Sequence, residues 1–169
     1  TGTVLSELCR HLDRDDQELE VEVVTTTNMY RGEGVDLPLE ETWNGIRIFR
    51  VRSPKPPRTR ILLRVLAGLH FTFSALFRML RRPRHDLVLV VTGPPVVPAA
   101  ALWYRRLRRV PYLYLIHDLY PDIPVCLGSL RADGLLARVA RRLQSSWLHN
   151  AECVVVLGRC MKDYLARAY

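Results

Sequence analysis

An α/β fold on a mainly parallel sheet is predicted by three observations: apolar runs of strand length, helical segments of about ten residues or more after most of them, and a chain of 169 residues. Leu87–Thr92, Tyr112–Ile116 and Cys153–Leu157 lack the alternation of a half-solvated strand. Such strands are characteristic of parallel sheets buried on both faces. The length allows one sizeable core. The fold class that follows is a doubly wound, Rossmann-like parallel sheet.

Each element can be justified in order. Val4, Leu5, Leu8, Cys9 and Leu12 recur at helical spacing, so the chain opens inside an amphipathic helix ending between Asp13 and Gln17. Val21–Thr25 and Ile46–Val51 read as strands, separated by a polar loop from Asn28 to Gly45. A loop of that length in a compact domain is usually functional or unstructured. Helices are predicted over Arg60–Leu80 and over Val96–Arg108, which carries Trp103. A further helix covers Leu135–His149, with Leu135, Leu136, Val139, Ala140, Leu143 and Trp147 assigned to its core face. Met161, Tyr164 and Leu165 mark a last helix. In doubly wound sheets the first strand lies at the centre, beside the ligand site. If the opening helix is the one that follows it, the sheet lacks its first strand in this sequence.

Composition narrows the function classes. Apolar residues make up 49% and charged ones 25%, which excludes a disordered tail and a polytopic membrane protein. Cys9, Cys126, Cys153 and Cys160 show no close pair at metal-ligand spacing, and Cys153 falls in an apolar run that reads as buried. Reduced thiols in a cytoplasmic protein are expected. The net charge of +8 is almost wholly arginine, Lys55 and Lys162 being the only lysines. It marks either an anionic partner or solvated faces. Nucleic acid is the weakest such partner, because the arginines are dispersed and no recognition-helix or aromatic-lined-sheet motif accompanies them.

Ligands of an open parallel sheet collect beyond the carboxyl ends of its strands. Asn28 and Tyr30, Thr92-Gly93-Pro94-Pro95, His117-Asp118 and Gly158-Arg159 all follow predicted strands and fall at that edge. In His117-Asp118-Leu119-Tyr120-Pro121-Asp122 an imidazole and two carboxylates leave a buried strand together. His117 could hydrogen-bond a substrate hydroxyl, and Asp118 could accept a proton or orient a sugar. Alternatively Asp118 or Asp122 caps the next turn and His117 fills space. Gly93 and Pro94 precede a helix whose N-terminus favours an anion. Pro95 or Pro98 suits its first turn for structural reasons alone. No dinucleotide fingerprint or P-loop motif occurs.

Between Arg58 and His85, Val65–Phe77 is rich in Leu, Phe and Ala, with Arg64, Arg78, Arg81 and Arg82 among the arginines at its ends. Thirteen helical residues span about 20 Å, short of the ~30 Å hydrocarbon core. Two readings remain open. Either the segment lies on an anionic bilayer with Phe71, Phe73 and Phe77 inserted, or its apolar residues face the core.

Five stretches together resemble, in order, the amino-terminal domain of bacterial family 4 glycosyltransferases of the two-domain GT-B kind. They are Thr1–Leu8, Thr92–Pro95, Asp118–Asp122 with Leu127-Gly128, Ala151–Leu157 and Met161–Leu165. The nearest similarity is to the amino-sugar transferases of surface polysaccharide synthesis. The resemblance implies that residues 1–169 form an incomplete, acceptor-side domain, without the carboxy-terminal domain that holds the nucleotide sugar. It implies retaining transfer from a nucleotide diphosphate donor to a lipid-linked or glycan acceptor, with no metal and no cofactor beyond the donor. Asp118 matches the family's aspartate facing the cleft, and Gly93 and Arg159 match loop positions on the same edge. His117 departs from the arginine or other polar residue common there. The expectation is a segment without activity of its own, from a cytoplasmic enzyme peripheral to the inner face of the plasma membrane. A non-enzymatic Rossmann-like binding module is the alternative, since such folds host many functions.

Overall fold

The computed structural model describes residues 2–15, 19–27, 37–54 and 60–169. Asn28, Tyr30 and Arg58, considered above, lie outside them. The chain divides into two compact units, residues 1–75 and 76–169.

The first unit opens with α1 (Gly2–Asp15), as the periodicity predicts, followed by β1 (Glu22–Thr26), β2 (Glu40–Trp43) and β3 (Ile46–Val51). β1 and β3 pair in parallel from Glu22↔Arg47 to Thr26↔Val51, and β2 is antiparallel to β3, in the order β1-β3-β2. β2 corrects the expectation of an unbroken loop up to Gly45. Its Glu-Glu-Thr-Trp sequence carries no apolar alternation. The turn into β3 is nevertheless legible: Asn44 and Gly45 have φ of 50° and 82°, the left-handed pair of a tight hairpin. Arg50 donates to Glu41 on β2 and to the carbonyl of Pro38, tying the hairpin together, and holds the Glu41 carboxyl below its ordinary range. Ile46 and Phe49 supply the buried positions of β3.

Helix α2 (Ile61–Leu80) runs from the first unit into the second. Gly68, Phe71, Thr72 and Ala75, at i, i+3, i+4 and i+7, form its buried stripe. The Thr72 hydroxyl donates to the Gly68 carbonyl at 2.8 Å, so its burial leaves no orphan polar group. Phe71 is therefore not on the outward side with Phe73, as proposed from sequence. Two residues turn a helix by about 200°, which places the two rings on opposite faces.

The second unit contains β4 (Val88–Val91), α3 (Pro98–Arg108), β5 (Tyr112–Ile116), α4 (Asp122–Cys126), α5 (Leu135–Asn150), β6 (Cys153–Val156) and α6 (Arg159–Ala168). Its sheet is wholly parallel, in the order β4-β5-β6. The described strands thus make two three-stranded sheets. Val90, Tyr112, Tyr114 and Ile116 face one way and form a core with Ala101 and Leu102 of α3, Trp147 of α5 and Leu165 of α6. Two polar tethers fix this layer: Tyr112 donates to the Trp147 carbonyl, and Tyr114 to Gln144 Oε1 at 3.2 Å. The opposite rows, Leu89-Leu113-Cys153 and Val91-Leu115-Val155, leave Leu89, Cys153 and Val155 exposed. Cys153 is thus not the buried thiol its apolar neighbours suggested, because it sits on an edge strand and on the less covered face. All four cysteines are free.

Helix α5 is rotated from the orientation its hydrophobicity predicts. Leu135, Leu136, Val139 and Leu143 are exposed, whereas Ala137, Gln144 and Trp147 are buried and Ala140 is half-buried. The tethers from Tyr112 and Tyr114 to the last turns of the helix select that face.

Candidate functional site

Because β4, β5 and β6 are parallel, their carboxyl ends lie at one edge of the second unit. Three connections start there: Thr92–Val97 after β4, His117–Pro121 after β5, and Leu157-Gly158 before α6. The structure thus brings Gly93, Pro94, His117, Asp118 and Arg159 to a single edge, as the sequence predicts.

The apolar register of β4 and β5 places Thr92 beyond Val91, which pairs with Leu115. Its hydroxyl accepts the backbone N–H groups of His117 at 3.1 Å and Asp118 at 3.3 Å. Thr92 is itself buried, so this double bond clamps the turn after β5 to the end of β4. The sequence reading put Thr92 at the end of the predicted strand, where the Thr92–Pro95 turn begins, and gave its hydroxyl no role. A hydroxyl ending an otherwise apolar strand was the available signal.

On the clamped turn, the Nδ1 and Nε2 atoms of His117 are both shielded from solvent and have no hydrogen-bond partner. Burying a polar ring without partners is costly, and native structures keep such groups chiefly where something else satisfies them. Asp118, next in the chain, is exposed. An imidazole able to donate from one nitrogen and accept at the other thus stands beside a solvated carboxylate. Imidazole and carboxylate are group types suited to orienting a hydroxyl and taking its proton.

Asp122 is placed differently. It is buried at the start of α4, where Tyr169 donates to its Oδ2 at 2.8 Å and Arg141 Nε lies 3.6 Å from its Oδ1. Burial and the neighbouring Asp122 carboxylate push the Tyr169 hydroxyl above its ordinary range, and the same causes act on Tyr164. Both carboxylate oxygens are committed to α5 and the end of α6, so the group ties down the turn that presents His117 and Asp118.

Gly93 faces open space, with nothing within 4 Å of where a Cβ would stand, and the same holds for Gly158. Room for a ligand remains beside both loops. Gly158 is extended, and α6 begins at Arg159, whose exposed side chain lies in the first turn. Pro98 occupies the first turn of α3, after a turn closed by Val97 N–H to the Pro94 carbonyl at 3.0 Å. The structural reading of that proline therefore holds. Arg64, Phe73, Arg78, Arg81 and Arg82 belong to α2 and the turn after it.

Comparison with known proteins agrees with this architecture. Over 112 residues, 66% of its length, the chain is 31% identical to a probable glycosyltransferase, WbjE, of Pseudomonas aeruginosa. The match covers 28% of that relative, so less than a third of its length is aligned with this chain. Residues 1–169 match the glycosyl transferase 4-like domain. The α/β architecture with a parallel sheet and the family match agree, and the chain belongs to the glycosyl transferase 4-like domain family.

Proposed function

We propose that the chain forms the acceptor-side domain of a retaining glycosyltransferase. The enzyme moves a hexosyl or amino-sugar unit from a nucleotide diphosphate donor to a lipid-linked or glycan acceptor in surface polysaccharide synthesis. The observation that carries this reading is the clamped pair at the strand edge: His117 with two unpartnered, shielded ring nitrogens, beside the exposed Asp118. Family membership supplies the reaction class.

In this reading the His117 ring, whose nitrogens are shielded from solvent, turns on acceptor binding to hydrogen-bond and orient an acceptor hydroxyl, and Asp118 accepts its proton. The acceptor oxygen bonds to the anomeric carbon from the same face on which the bond to the diphosphate oxygen breaks, so the configuration is retained. The nucleotide diphosphate leaves with the bonding pair. Gly93, Pro94 and Arg159 border the same edge, and Arg159 supplies positive charge for the diphosphate. Asp122 acts through the turn, as a positioning residue. A second domain holds the nucleotide. The enzyme works on the cytoplasmic side of the membrane that carries its acceptor.

The test uses the full-length protein with a panel of nucleotide sugars, following nucleotide diphosphate release with lipid extract and with a water-soluble acceptor. Acceptor-dependent release is expected, reduced about 10²-fold or more by Asp118→Asn with the fold intact by circular dichroism. A folded protein that neither binds nor turns over any nucleotide sugar would sink the reading in favour of a binding module.

A further inference from the structure

Helix α2 carries a face that the proposed chemistry does not use. Leu62, Leu66, Phe73 and Phe77 are 71%, 52%, 65% and 55% exposed. At i, i+4, i+11 and i+15 they fall within about 60° of one another around the helix axis, opposite the buried Gly68, Phe71, Thr72 and Ala75. The stripe runs about 22 Å along the helix. Single exposed apolar residues are ordinary, whereas a leucine and phenylalanine stripe along a 20-residue helix offers a docking surface.

Charge identifies its occupant. No Asp or Glu occurs from Thr42 through His85, while arginines lie at both ends of the helix, with Arg60 at one and Arg81 and Arg84 at the other. The Arg81 guanidinium lies 4.0 Å from the centroid of the Phe77 ring, so cation and phenyl are presented together. A second copy packing the same stripe, in either direction, would set arginine against arginine with no carboxylate to compensate. A span is available by length and composition, since Leu62–Leu80 passes both tests. It would nonetheless have to strip Phe71, Thr72 and Ala75 from their buried positions.

We infer that the outward stripe of α2 docks the protein on an anionic phospholipid bilayer. The helix lies in the interface plane, with Phe73 and Phe77 among the acyl chains and the flanking arginines on phosphates. This deepens the reading of a lipid-linked acceptor, and rests on it only for the purpose of docking. It also assigns the phenyls to two of the three positions suggested by sequence, excluding Phe71.

The test is cosedimentation of the full-length protein with phosphatidylcholine vesicles that contain about a third phosphatidylglycerol, without any donor. Binding is expected that weakens with salt and on pure phosphatidylcholine, and that falls about tenfold or more in Phe73→Ser/Phe77→Ser. Leu62→Ser/Leu66→Ser gives an independent check from the far end of the stripe, and Leu135→Ser/Leu136→Ser on α5 leaves binding unchanged. Unaltered thermal midpoints certify the variants. Binding that survives both stripe variants, a carbonate-resistant span, or a soluble dimer broken by the phenylalanine pair with no vesicle binding would each overturn the inference. Nucleotide diphosphate release with the water-soluble acceptor is read separately. Transfer without vesicle binding sinks docking alone, whereas binding lost in the stripe variants supports docking even if no donor is turned over.

Discussion

Thr92 shows how a single hydroxyl shapes the candidate site. It accepts two backbone N–H groups from residues 25 and 26 positions later in the chain, and those residues are His117 and Asp118. Thr92→Val keeps the shape but leaves both N–H groups unmatched, at a cost of about 1–3 kcal/mol in urea denaturation. Hydrogen exchange of the two amides should rise, whereas Thr92→Ser should retain most of the protection. Unchanged exchange in the valine variant would show that the clamp is dispensable. His117 and Asp118 were legible as candidates, because polar residues that leave an apolar strand sit at the ligand edge of a parallel sheet. The role of Thr92 was not, since it depends on the register of β4 against β5. Asp122 shows the opposite case. It looked like a ligand from its neighbours, but its oxygens are occupied by Tyr169 and Arg141, residues remote in sequence.

Helix α5 shows the same limit for an element. Its periodicity announced a helix with nearly the observed ends, yet the face it buries follows Ala137, Gln144 and Trp147 rather than the leucines. Hydrophobicity alone favours the larger side chains. Packing instead rewards a small residue at the closest approach and the tethers that satisfy buried tyrosine hydroxyls. Ala137 is fully buried. Ala137→Leu should therefore destabilise by about 1–3 kcal/mol through overpacking. Leu143→Glu should stay within about 0.5 kcal/mol of the parent. Chemical denaturation of both variants separates the two orientations, and the reverse ranking would restore the leucine face to the core. Strand β2 escaped notice for a related reason: its pairing with β3 needs no apolar alternation, and only the Asn44-Gly45 turn signalled it.

The buried tyrosines give the whole molecule an alkaline limit. Burial raises the Tyr114 hydroxyl to about 12 from an ordinary value of 10.0, with the Gln144 hydrogen bond pulling slightly the other way. Above about pH 10 the unfolded chain releases this proton while the folded one keeps it, so stability is complete below that pH and declines as pH rises toward the folded value. The slope is about 1.4 kcal/mol per pH unit for one such group. Urea midpoints at about pH 8 and about pH 11 should drop further in the parent than in Tyr114→Phe, and equal drops would show that Tyr114 is not the linked group. At this scale the sequence by itself determined the α/β class, all of the described long helices, the parallel apolar strands and the edge where polar residues gather. Those features follow from local periodicity and from the rule that uninterrupted apolar strands lie between helices. Tertiary structure alone decided the division into two three-stranded sheets, the rotation of α5, the burial of Phe71 with the exposure of Phe73, and which polar atoms remain unpartnered. These depend on contacts between residues far apart in the chain, and short-range pattern carries no record of which face or which hydroxyl those contacts will select.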